Sequence, residues 1–122
     1  FRLLGFIPHQ HVSALMQVSD ALINPSLFEG WSTTVEEARV LGVPLILSNL
    51  TVHREQVGEK AHFFDRWSAD SLAETLTRFT PKDCIKRESL KKDAAADSEI
   101  RFSEFAKKFM KVTEACYQEI KA

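Results

Sequence analysis

Between Asp20 and Ser48 an apolar run, a polar loop, a stretch of helical period and a second apolar run follow in close order. That succession constrains the fold more than anything else here. Asp20 to Asn24 (DALIN) reads as a strand stopped by Pro25, which cannot donate to a ladder. Ser26 to Ser32 is a loop. A helix starts near Thr33, where Thr33-x-x-Glu36 and Thr34-x-x-Glu37 both fit a capping box. Val35, Ala38 and Leu41 share its inner face. Gly42 suits the position after the helix, and Pro44 prevents continuation and opens a strand over Leu45–Ser48.

The alternation extends both ways. Phe1–Gly5 reads as a short buried strand and Phe6–Pro8 as a turn. Gln10–Val18 has helical spacing, with Val12, Leu15, Met16 and Val18 inward. Val52–Val57 is a short helix stopped by Gly58, His62–Phe64 a short strand, and Ser68–Phe79 a helix with Leu72, Leu76 and Phe79 on its apolar face. Strands alternating with helices predict a Rossmann-like, doubly wound parallel sheet of the α/β class. The core spans residues 1–80, and residues 81–122 form C-terminal helices. Pro81–Ile100 reads as an exposed, charged helix. Its basic residues Lys82, Lys86, Arg87, Lys91 and Lys92 alternate with Asp83, Glu88 and Asp93, the pattern of a solvated face. Phe102, Phe105, Phe109, Val112, Cys116 and Ile120 then recur at three- and four-residue steps, a long amphipathic helix whose stripe is expected to pack. Any uncovered part of it would promote self-association.

Composition removes several function classes. A net charge of -1 gives no electrostatic case for nucleic acid. The longest apolar run, Val43–Leu47, is too short to span a bilayer. Cys84 and Cys116 have no metal or redox spacing, and a reduced cytoplasmic setting is the simplest reading. His9 and His11 have no further ligands clustered with them in sequence, so no metal site is expected. The chain begins FRLLGF, without an initiator Met or a signal-peptide pattern, and reads as part of a longer protein.

Chemistry concentrates in the loop after the second strand. In a doubly wound sheet, ligands bind outside the carboxyl ends of the strands. Gly30 lets the loop approach a ligand closely. The amides of Ser32, Thr33, Thr34 and Val35 lie near the helix start, lack intrahelical acceptors and face the positive end of the dipole, a site suited to phosphate. The hydroxyls of Ser32, Thr33 and Thr34 add donors. Glu29 can accept two hydrogen bonds from sugar hydroxyls, and Glu37, eight positions on, a second pair. Two hydroxyl-gripping carboxylates flanking a phosphate site match the layout of a sugar–diphosphate–ribose molecule.

The segments Leu3–Pro8 (LLGFIP), Asp20–Ala38 (DALINPSLFEGWSTTVEEA), Gly42–Asn49 (GVPLILSN) and His53–Asp65 (HREQVGEKAHFFD) carry a resemblance. Over Leu3 to about Leu76 the chain is similar to the C-terminal, donor-binding domain of GT-B glycosyltransferases of the retaining family 4. Trp31 stands where that family commonly has another bulky residue. The resemblance implies transfer from a nucleotide-diphosphate sugar, with no metal and no cofactor. It implies that Glu29 acts at the donor sugar near the reacting carbon, as a positioning and electrostatic residue, and that the Gly30 and Trp31 amides reach the same sugar. It implies that the Ser32, Thr33, Thr34 and Val35 region meets the diphosphate. Glu37 would hold the ribose, and the turn Phe6, Ile7 and Pro8 would lie against the nucleobase. His53, Arg54 and Glu55 fall in a family segment near the site, where Arg54 would serve either an anionic ligand or a surface salt bridge. The family's basic pair for the diphosphate, and its N-terminal acceptor domain, are not among these 122 residues. The chain alone is therefore expected to be inert. The setting implied is cytoplasmic or the inner face of the membrane, with peripheral attachment of the parent protein an option. Two other readings are a non-catalytic nucleotide-sugar-binding or assembly module, and a GT-B sugar-nucleotide epimerase.

Overall fold

The computed structural model describes residues 2–81 and 84–121. Phe1, Lys82 and Asp83, named above, lie outside the described residues. The order is α1 (His9–Val18), β1 (Leu22–Asn24), α2 (Thr33–Val40), β2 (Leu45–Ser48), α3 (Thr51–Val57), β3 (His62–Phe64), α4 (Ala69–Arg78) and α5 (Cys84–Lys121). The three strands form one parallel sheet in the order β1-β2-β3, with Leu22 opposite Leu45 and Ile46 opposite His62.

β2 is the centre of the sheet because all four of its residues are buried, as a parallel strand covered on both faces requires. Leu45 and Leu47 point to one face, against Met16, Val35, Ala38, Val43 and Val57 from α1, α2, α3 and the turn before β2. Ile46 and Ser48 point to the other face and are equally covered. Gly42 takes a positive φ of 68° after α2, and Val43 donates back to the Ala38 carbonyl. Ser68 caps α4, accepting from the Ser71 amide.

Three expectations are corrected. Residues 2–5 form no strand, and Leu3 and Leu4 are exposed. The sheet pairs β1 only with β2, so a strand over residues 2–5 would need a neighbour that β1 does not supply. The described residues contain no such partner. Within α1, Met16 alone is buried, Val12 is half-buried, and Leu15 and Val18 are exposed. The region beyond residue 81 is one helix of 38 residues rather than several. It contains no Gly or Pro between Cys84 and Lys121 to end it.

The first half of α5 is fastened across α2. Asp97 accepts from Lys60 Nζ at 2.8 Å and Arg39 Nη2 at 3.0 Å. Arg101 Nη1 donates to Glu36 Oε2 at 2.9 Å, and Arg87 pairs with Asp20. From Phe102 onward every described side chain except Ala106 is exposed. The expected stripe therefore has no partner within the described residues.

The hydrogen bond from Lys60, reinforced by Arg39, holds the Asp97 carboxyl below the usual aspartate range. A carboxyl with a depressed folded pKa adds stability above its unfolded value, and this is lost as pH falls through the folded one. Asp97→Asn is expected to cost about 1 kcal/mol at neutral pH, where the network leaves only solvent-screened pairs. The gap between the wild-type and variant melting temperatures should close as pH falls through the carboxylate range. A gap independent of pH would remove the charge of Asp97 from the account.

Candidate functional site

Because the sheet is parallel, the loops after β1, β2 and β3 emerge at one edge. A cleft of about 430 Å³ opens there. Phe28, Glu29, Gly30 and Trp31 line it from the loop after β1, Leu50, Thr51 and Glu55 from the segment after β2, and Arg66 from the loop after β3. Phe28 and Trp31 present exposed rings beside the carboxylate.

Glu29 is held from beneath. Its Oε1 accepts from Ser26 Oγ at 2.8 Å and from Asn24 Nδ2 at 3.2 Å. Asn24 is the last residue of β1, and its Oδ1 accepts from the Ser26 amide, which turns the chain at Pro25. Bonds from Asn24 and Ser26 hold the Glu29 carboxyl below the ordinary glutamate range, against the opposing effect of burial. Glu29 is thus a fixed carboxylate with lone pairs left for hydroxyl donors.

The start of α2 differs from the capping-box expectation. The N-cap residue is Ser32, and no side chain caps the helix. Ser32 Oγ instead accepts from Asn24 Nδ2 at 3.1 Å. Glu36, which a capping box would turn back onto the N-cap amide, accepts from Arg101 and from Gln56 Nε2 at 3.3 Å. The first-turn amides of Thr33, Thr34 and Val35 have no helical acceptors ahead of them and no side-chain cap. Thr33 and Thr34 are exposed, whereas the Val35 side chain is fully buried, so Val35 can offer a ligand only its backbone.

Glu37 lies on another part of the surface. Its side chain is half-exposed and faces His9 Nε2 at 3.6 Å, just after Pro8. Ile7 and Thr34 line a separate apolar cavity of about 290 Å³ with Met16, Leu22 and Val43. Phe6 and Pro8 are exposed. The structure therefore brings the turn 6–8, Thr34 and Glu37 to one side of the α2 start, and Glu29, Gly30 and Trp31 to the other. Glu37 lines neither the cleft at Glu29 nor the cavity at Ile7. His9 is drawn to Glu37, and the described residues hold no group of three or more His, Cys, Asp or Glu that could bind a metal.

Of the segment after β2, Arg54 pairs with Glu59 at 3.7 Å and covers the Phe63 ring, which favours the salt-bridge reading. His53 and Gln56, to which no site role was assigned, are buried: Gln56 bonds Ser32 at the end of the loop carrying Glu29, and His53 bonds Ser48 at the end of β2. The signal available was their position on a helix that otherwise presents charged residues to solvent.

A fixed carboxylate, exposed rings and an uncapped helix start thus gather at the strand ends of a parallel α/β sheet. The sequence model of the glycosyl transferases group 1 family matches residues 1–97, and the chain belongs to that family. It is 31% identical over 72 residues to the O-antigen chain mannosyltransferase B of Escherichia coli, covering 59% of this chain and 19% of that protein. It is 32% identical over 85 residues to the "Putative teichuronic acid biosynthesis glycosyltransferase TuaC" of Bacillus subtilis (strain 168), covering 69% of this chain and 22% of that protein. The chain thus spans about a fifth of the length of these curated relatives. Among the described residues no helix is long and apolar enough to cross a membrane.

Proposed function

We propose that the chain is the donor-binding part of a retaining glycosyltransferase. The parent protein transfers a hexose-type sugar from a nucleotide-diphosphate donor to an acceptor hydroxyl in bacterial polysaccharide, lipopolysaccharide or glycoconjugate synthesis. The observation that carries this reading is the Glu29 cleft at the carboxyl edge of the sheet, next to the uncapped amides of α2. Glu29 grips hydroxyls of the donor sugar, with the Gly30 and Trp31 amides beside it. The amides of Thr33, Thr34 and Val35 receive the diphosphate, favoured by the helix dipole, while the expected partner Ser32 is buried with its amide on Gln56 and its hydroxyl on Asn24 and holds the helix start instead. Glu37 holds the ribose hydroxyls, and Phe6, Ile7 and Pro8 border the base; the contact of His9 with Glu37 sets those two regions side by side.

In the reaction the bond from the anomeric carbon to the diphosphate oxygen breaks. A bond to the acceptor oxygen forms on the same face, and the acceptor proton leaves. The leaving diphosphate gathers negative charge, which the preorganised amides of α2 stabilise. Basic groups beyond these 122 residues, and the acceptor domain, supply the rest. The mannosyltransferase and TuaC names support the polysaccharide setting.

In the full-length protein, Glu37→Ala is expected to raise the donor KM about 10- to 100-fold with little change in kcat. That is the loss of hydrogen bonds to one carboxylate, made equally in ground and transition states. An unchanged donor KM would take Glu37 out of the ribose site. Calorimetric donor binding without any transfer would favour a non-catalytic module, and recovery of an epimerised donor would favour an epimerase.

A further inference from the structure

α3 carries two buried polar side chains, His53 and Gln56, three positions apart on one helix face. Buried polar groups are costly unless bonded, so their bonds reveal their purpose. Gln56 forks onto the backbone of Ser32: its Nε2 donates to the Ser32 carbonyl at 3.0 Å, and the Ser32 amide donates to its Oε1 at 3.4 Å. His53 Nδ1 lies 2.9 Å from the Ser48 carbonyl, which can only accept, so the ring proton sits on Nδ1. Ser48 Oγ donates to the Ser26 carbonyl at 2.6 Å, and Ser26 Oγ donates to Glu29.

The two residues therefore reach the two ends of one loop. Gln56 fixes Ser32, where the loop becomes α2, and His53 braces Ser48, which fixes Ser26, where the loop begins. Asn24 ties the ends together through Glu29 and Ser32. His53 Nε2 is buried with no hydrogen-bond partner. An apolar side chain of similar size would avoid that cost, so fold stability alone does not account for a histidine there.

We propose that His53 and Gln56 are positioning residues that lock the loop Ser26–Ser32 from both ends, setting Glu29 and the α2 amides in place before the donor arrives. The catalytic part of this inference rests on the donor-binding reading of that loop; the mechanical part does not. Preorganisation of this kind matters because displacement of about 1 Å at a reacting group can cost about 100-fold in rate.

The test uses the full-length protein with His53→Leu, His53→Asn and Gln56→Met. Ligand-free hydrogen exchange over residues 26–35 should speed up in His53→Leu and Gln56→Met, while melting temperatures stay close to wild type. Donor kcat/KM should fall at least tenfold, with acceptor KM unchanged. His53→Asn, whose amide can still donate to Ser48, should recover most of both. Gln56→Met carries the test alone if His53→Leu does not fold. Unchanged loop exchange together with donor kcat/KM within twofold of wild type would overturn the proposal. Faster loop exchange in a protein that binds and transfers no nucleotide sugar would sustain the mechanical lock and sink the donor-binding reading instead.

Discussion

On the donor-binding reading, Glu29→Gln in the full-length protein is expected to lower kcat for sugar transfer by about 10²- to 10³-fold, the scale seen when one preorganised electrostatic contact is removed from a reacting centre. The fold should survive the change. Gln keeps an oxygen that can accept from Ser26 and Asn24, and the side chain is only partly buried. What disappears is the charge that strengthens the remaining hydroxyl bonds. Since the interaction gains strength as the transition state forms, kcat and kcat/KM should fall together. Glu29→Ala should lose at least as much, because Asn24 and Ser26 then lose their acceptor. The pH profile adds a second check. The bonds from Asn24 and Ser26 keep the Glu29 pKa below the ordinary glutamate range, so any loss of rate from its protonation should set in at a lower pH than for an ordinary glutamate. A Glu29→Gln enzyme within threefold of wild-type turnover would remove this carboxylate from the chemistry.

Much of this architecture is legible in the residues. Pro25, Gly42, Pro44 and Gly58 punctuate the chain where β1, α2 and α3 end, and the runs between them have clear periods. Those stops forced the strand–helix alternation, and the alternation led to the edge where Glu29 sits. What stayed hidden depends on contacts distant in sequence. Thr33-x-x-Glu36 looks like a capping box, but Arg101 and Gln56 claim Glu36, and neither claim has a local signature. Leu3 and Leu4 have the composition of a strand, yet a strand needs a neighbour, and the described residues hold none on that side. The stripe from Phe102 to Ile120 has the period of a packed helix and no described partner, since periodicity gives a face and not what covers it. His53 falls by resemblance in a segment near the site, but what it and Gln56 hold was illegible for the same reason. A buried polar side chain inside HREQ reads as surface until the loop it holds is seen.

Gly42→Ala should be the most destabilising of the glycine-to-alanine changes, at about 2 to 4 kcal/mol. Two independent costs add. The residue has φ of 68°, and an L side chain in the left-handed region costs about 1–2 kcal/mol. An added Cβ would also stand 2.8 Å from the Leu90 carbonyl oxygen, and 2.9 Å from both the Leu90 carbonyl carbon and Lys91 Cα. These are backbone atoms of α5, and no rotamer change moves them. The helix must shift, which strains the Arg39–Asp97 and Arg101–Glu36 pairs that fasten it across α2. Gly58→Ala is the informative control. Its φ is also positive, at 57°, but nothing lies within 4 Å of the new Cβ, so it bears the backbone cost alone. Thermal unfolding should therefore rank Gly42→Ala below Gly58→Ala. Hydrogen exchange should speed up along residues 86–101 only in Gly42→Ala, because only there is α5 pushed off its seat. Equal losses in the two variants, with α5 protection unchanged, would mean that α5 does not press on the turn after α2. Glu36 and Arg39 would then lose the neighbour that orders the outer face of α2.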